Sequence, residues 1–175
     1  MSGILCLIAH PDDEVFCAGT LVGLVRRGVS VRLVCFTRGE GRRHVGDPPC
    51  ATWETIGKVR EAEMRCAAQK LQVDSLDFLR YSDRPRNADG HRPPIVDATT
   101  LATDLAEIIA RYEPEALLTH GSSGEYGHPA HRLLHTVTRR AVQQSNPRPA
   151  LYSFMAFHPL LQRKRNLQNM GGRYC

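Results

Sequence analysis

Near the start of the chain, in AHPDDE (9–14), three consecutive carboxylates follow a histidine and a proline, directly after the apolar run ILCLIA. Far downstream, GHPAH (127–131) sets two imidazoles three residues apart. Histidine with carboxylate is the donor set of a catalytic divalent ion, where three protein ligands leave one position for water. His10 and Asp13 bracket a short turn, so both side chains can reach one point. His128 and His131 stand one turn apart on one face of a helix start. One histidine and one carboxylate from the first stretch, with one histidine from the second, make a His-His-Asp set. Each stretch alone has a plainer reading. Acidic residues ahead of a helix meet its dipole favourably, and His131 also pairs with His135 at i, i+4, a rival ligand spacing.

A frame must bring the two stretches together. Strand-length apolar runs occur at 4–9, 29–37, 75–81, 116–120 and 150–157. Helical patterns fill the gaps: 15–27 ending at Gly28, 54–72, 97–113 opening at Asp97 and stopping at Pro114, and 129–145 with Pro129 at its first position. Strict β-α alternation predicts an α/β fold with a mostly parallel sheet and helices on both faces. In such sheets ligands bind outside the carboxyl ends of the strands. AHPDDE follows the first strand, TRGEG the second, RYSDRP the third and THGSSGEYGHPAH the fourth. The intervening loops 38–53 and 82–96 are long and irregular in composition.

The bulk properties set outer bounds. A chain of 175 residues suits one domain, expected over 1–160, with 161–175 a basic tail that is either disordered or a truncated C-terminal segment. The net charge of +5 invites a nucleic-acid partner, but Arg163, Lys164, Arg165 and Arg173 sit in the last thirteen residues without an acid. The body is nearly neutral, so no nucleic-acid partner is expected. No apolar run spans a bilayer and the N-terminus lacks the pattern of a signal peptide, so the expected location is cytoplasmic. Six cysteines form no CxxC pair, and Cys6, Cys17, Cys35 and Cys66 read as buried thiols within strand or helix patterns.

AHPDDE (9–14), Arg60 to Glu63, Asp83 in RYSD and GEYGHPAH (124–131) together resemble the successive signatures of the PIG-L/LmbE-like family. The resemblance covers residues 4–157 in order. It implies a Rossmann-like three-layer sandwich and a zinc-dependent deacetylase of N-acetylglucosaminyl and related amides. It further implies that His10, Asp13 and His131 bind one zinc per chain, iron(II) also suiting such a site. Asp12 would be the general base acting on metal-bound water, and His128 the oxyanion's electrostatic partner or a general acid. Tyr126 would approach the carbonyl oxygen, and Arg60 and Asp83 would hold sugar hydroxyls. The partner is then a small amino-sugar or glycoconjugate, and a homo-oligomer is compatible with the pattern.

Against that resemblance the chain ends early, so the expectation is a short form or one whose pocket a partner subunit completes. Two rival readings stay in view: a catalytically impaired sugar- or nucleotide-binding domain, and an amidase for another N-acyl substrate. An aspartate kept off the metal beside its ligands favours turnover over mere binding. Among the remaining residues, Glu14 supports the turn and His120 is structural or pocket-lining. Arg38, Glu40 and Arg42 either reach the substrate or, as the commoner outcome, form an exposed charge cluster, His44, His91 and His158 carry no metal spacing, and Trp53 and Tyr81 favour packing over stacking on a sugar.

Overall fold

The computed structural model describes residues 3–41, 51–52, 54–84 and 92–154. Arg42, His44, Cys50, Trp53, His91, His158, Cys175 and the basic tail lie outside the described residues.

β1 (Ile4–Ile8) is buried along almost its whole length, as expected of a central strand covered on both faces. Its side chains alternate between two cores. Leu5 and Leu7 point to one core, and Cys6 and Ile8 to the other. β2 (Val31–Cys35), β3 (Ser75–Phe78), β4 (Ala116–His120) and β5 (Ala150–Phe154) complete a five-stranded sheet in the order β3-β2-β1-β4-β5. Every pairing is parallel, with Cys6 opposite both Leu33 and Leu118. The three layers are thus observed, and the sheet is wholly parallel.

α1 (Ala18–Val25) and α2 (Ile56–Leu71) supply Leu21, Met64 and Ala68 to one core. α3 (Ala98–Tyr112) and α4 (Pro129–Gln144) supply Leu101, Leu105, Leu134 and Val137 to the other. Asp97 caps α3 as its sequence position predicts, accepting the Thr100 N–H at 2.8 Å. Leu105 is 1% exposed, so Leu105→Ala should cost about 2–5 kcal/mol of unfolding free energy, read by chemical denaturation.

The helix expected over 15–27 is split. Residues Asp13–Phe16 form a single 3-10 turn and α1 begins only at Ala18. Asp12 ahead of the turn is left-handed (φ 88°), and the break falls at Cys17, whose non-helical backbone (φ −128°, ψ 5°) separates the turn from α1. The third strand stops at Phe78 rather than 81. Tyr81 turns inward instead, packing on Phe36 at 5.3 Å between ring centroids and donating its hydroxyl to Asp104 at 2.7 Å. Cys6, Cys17 and Cys35 are buried free thiols, but Cys66 is exposed on α2, because it falls on the solvent face of that helix. Among the described residues no helix is long and apolar enough to cross a membrane.

Candidate active site

Strand order reverses between β1 and β4, since the chain runs outward from β1 through β2 to β3 and then returns to β4 on the other side. The crevice of such a sheet opens at that switch point, beyond the carboxyl ends of the two strands. The loop after β1 carries His10, Asp12 and Asp13, and the loop after β4 carries Glu125, Tyr126 and His128 before α4 presents His131. Two stretches more than a hundred residues apart in sequence therefore meet because their strands are hydrogen-bonded neighbours.

The two adjacent aspartates have opposite environments. The Asp13 side chain is 3% exposed and faces imidazoles. Its Oδ2 lies 3.2 Å from His10 Nδ1, 3.2 Å from His131 Nε2 and 3.6 Å from His120 Nε2, and accepts the His10 backbone N–H at 2.8 Å. Burial pushes this carboxyl up, yet the His10 and His131 rings outweigh it and hold Asp13 far below the usual carboxylate range. The Asp12 side chain is 63% exposed and pairs with the Arg60 guanidinium at 3.0 Å. The left-handed turn at Asp12 produces this divergence, aided by Glu14, whose carboxylate accepts the Asp12 N–H at 3.0 Å.

Whether these residues suit a divalent cation is tested by the donors they leave unsatisfied. His10 Nε2 and His131 Nε2 are both buried and neither has a hydrogen-bond partner. Their rings lie 5.3 Å apart, either side of Asp13. Buried imidazole nitrogens without partners are costly unless a cation or proton occupies them. Without a cation, burial lowers the His10 pKa, but Asp13 and Asp83 more than offset it and raise the group to about 9. The donor set fits zinc or iron(II).

His128 lies 4.7 Å from His10 and 4.5 Å from His131 between ring centroids, and these three imidazoles form one cluster of potential metal donors. Its Nδ1 accepts the Ala130 N–H at 3.3 Å and so caps α4. A neutral ring whose Nδ1 lone pair is used there carries its proton on Nε2, which makes it a donor. The Tyr126 ring packs edge-on against His128 and His131 and is 56% exposed at the mouth of the crevice. Burial, then the Asp13 and Asp12 charges, push its hydroxyl up to about 12, so it keeps its proton.

Asp83 Oδ1 stands 3.7 Å from His10 Nε2, and the Asp83 backbone N–H is held by Glu40 Oε2 at 3.0 Å. Arg60 is 6% exposed, and its guanidinium donates to the backbone carbonyls of Gly39 and Pro11 besides pairing with Asp12. Its contacts here are thus to the loops that frame the crevice. Arg38 and Glu40 are not simply exposed charges either. Arg38 bonds Glu61 and the Leu79 carbonyl, and Glu40 joins the loops after β2 and β3. His135, the rival ligand, turns away to bond the His120 carbonyl through Nδ1 at 2.8 Å.

Two residues stand at the centre beyond what the sequence assigned: Glu125, which was given no role, and His120, expected as structural or pocket-lining. Glu125 Oε2 contacts both His120 Nδ1, at 2.8 Å, and His131 Nδ1, at 2.7 Å. Burial raises its carboxyl, but bonds to the two imidazoles outweigh this and lower it to about 2. His120 stacks on His131 with centroids 3.9 Å apart. Glu125 follows no periodicity. Its only signal was a lone acid within a glycine-rich loop beside the histidine motif.

The PIG-L family profile, described as GlcNAc-PI de-N-acetylase, matches residues 5–142. A 1D-myo-inositol 2-acetamido-2-deoxy-alpha-D-glucopyranoside deacetylase of Mycobacterium sp. (strain KMS) is 35% identical over 155 residues, 81% of this chain and 50% of that protein. The chain thus spans about half the length of the curated relatives it matches. Among solved structures, the N,N'-diacetylchitobiose deacetylase of Pyrococcus horikoshii superposes with a TM-score of 0.63 at 22% identity, over 81% of this chain and 49% of that one. GalB, a 4-carboxy-2-hydroxymuconate hydratase of Pseudomonas putida KT2440, does so at 0.62 and 24%, over 82% and 56%. The structural likeness establishes the fold, and a hydratase beside a deacetylase shows that this fold alone does not select a reaction. The profile match, by contrast, runs through both histidine stretches that meet at the switch point, and the chain belongs to the PIG-L family.

Proposed function

We propose that the protein is a metal-dependent N-deacetylase that hydrolyses the acetamide of an N-acetylglucosamine-type substrate. The observation that carries this reading is that His10 Nε2 and His131 Nε2 are buried without hydrogen-bond partners while both rings lie against the Asp13 carboxylate, His10 through Nδ1 and His131 through Nε2. His10, Asp13 and His131 would hold zinc, or iron(II) in its place. Such an ion supplies Lewis acidity toward the amide carbonyl and lowers the pKa of a water toward about 7.

The residues around it divide the remaining work. Asp12, beside a ligand yet turned toward the crevice, takes the proton of the attacking water, with Arg60 holding the carboxylate in place. As water adds, the amide oxygen gains negative charge. His128, with its proton on Nε2, and the Tyr126 hydroxyl donate to that oxygen. One preorganised donor of this kind is worth about 3–4 kcal/mol of barrier height. Asp12, now protonated, or His128 then returns a proton to the departing amine. Asp83, beside His10, is positioned to accept a sugar hydroxyl, and Arg60 supports the same wall.

The test is amine release from N-acetylglucosaminyl compounds that differ in their aglycone, with and without a chelator. Release of one amine per acetate, lost on chelation and restored by zinc or iron(II), is the expected result. Release indifferent to chelation rejects the metal reading. Activity confined to other N-acyl compounds would replace the sugar substrate with another amide.

A further inference from the structure

We propose that Glu125 is a positioning residue that fixes which nitrogen of His131 carries the proton, through a carboxylate shared between His120 and His131. This rests on the reading of His131 as a metal ligand. The Glu125 side chain is 0% exposed, and three nitrogens converge on it. The Gly121 N–H reaches Oε1 at 2.9 Å, while His120 Nδ1 and His131 Nδ1 reach Oε2 at 2.8 and 2.7 Å.

The direction of these bonds follows from the far side of His120. Its Nε2 accepts the Ala9 backbone N–H at 3.0 Å, so the neutral ring must carry its proton on Nδ1 and donate to Glu125. A backbone N–H also donates to the other carboxylate oxygen. With Glu125 ionised, the ordinary state of a carboxylate, it accepts all of these at once and has no proton to give. His131 is therefore held with its proton on Nδ1, and its Nε2 lone pair faces Asp13 Oδ2 at 3.2 Å. A histidine ligand gains basicity and a fixed orientation from such a carboxylate, and losing it typically costs about 10- to 100-fold in metal affinity. His120 takes part as a brace. It ties the carboxylate to the backbone after β1, across the same switch point that the metal would bridge.

Glu125→Gln has the same shape but the wrong hydrogens. If its amide nitrogen faces the imidazoles, His120 cannot yield, because Ala9 pins its tautomer, so His131 must move its proton to Nε2. If the nitrogen faces Gly121 instead, two donors oppose each other and the side chain is displaced.

Zinc alone is the probe, titrated against a chromophoric chelator. Imidazole nitrogen–proton correlation spectra of the zinc-saturated protein are recorded alongside, with the melting transition as a check of folding. The parent is expected to bind one zinc and to show an Nδ1–H resonance for His131. Glu125→Gln should bind zinc about 10- to 100-fold more weakly, still melt cooperatively, and show that resonance shifted upfield or broadened by exchange because its carboxylate acceptor is gone. Equal zinc affinity in a folded Glu125→Gln protein overturns the proposal while leaving the metal site intact. A parent spectrum without a proton on His131 Nδ1 overturns it without any variant. A parent that binds no zinc removes the metal reading itself, and the proposal with it.

Discussion

Asp12→Asn is expected to bind zinc as the parent does and to release amine about 10²- to 10⁴-fold more slowly, the usual contribution of a positioned general base. The replacement keeps the size and the left-handed backbone at φ 88°, which asparagine adopts readily, so the turn presenting His10 and Asp13 should survive. An amide cannot take the water's proton, and it forgoes the charged partner of Arg60. The loss should fall on kcat, because Asp12 acts on the reacting water and not on the ligand set. Metal content and kcat, measured on one preparation, separate the two effects. Parent-level turnover in Asp12→Asn would remove the base assignment, and loss of metal would mean that Asp12, not Asp13, is the carboxylate ligand.

His131→Ala is the second large effect. Removing the imidazole takes away one of three proposed ligands and leaves the Asp13 and Glu125 carboxylates bridged by His120 alone among the described residues. Zinc retained through dialysis should fall from about one per chain to background, with amine release falling alongside, as a three-ligand site requires. A ligand that binds only the folded state stabilises it by about 4.1 kcal/mol at a thousand times its Kd. Chelation should therefore lower the Tm of the parent and leave that of His131→Ala unchanged. His10→Ala should behave alike. Normal zinc retention in His131→Ala would transfer the role to the neighbouring His128.

The frame was largely legible because periodicity is a local property. A strand such as β1, covered on both faces, must be apolar throughout, and an amphipathic helix such as α3 must repeat its apolar face. The boundaries of these elements fell within a few residues of expectation. The exceptions are informative. The 3-10 turn at Asp13–Phe16 follows a left-handed Asp12 that no propensity rule required. The early end of β3 reflects Tyr81 finding Phe36 and Asp104, partners on other elements.

From the sequence by itself come the fold class, the family resemblance and the two motifs that can supply imidazole and carboxylate to one ion. Those are matters of residue type, order and spacing. Tertiary structure decided how adjacent side chains part company. Asp13 turns into the imidazole cluster while Asp12 turns toward Arg60, because one torsion at the turn sends them apart. It also decided that Glu125, a lone acid in a glycine-rich loop, lies within hydrogen-bond reach of two histidines contributed by β4 and α4. Hydrogen-bond direction depends on what stands opposite in space, and what stands opposite AHPDDE is set by the pairing of β1 with β4.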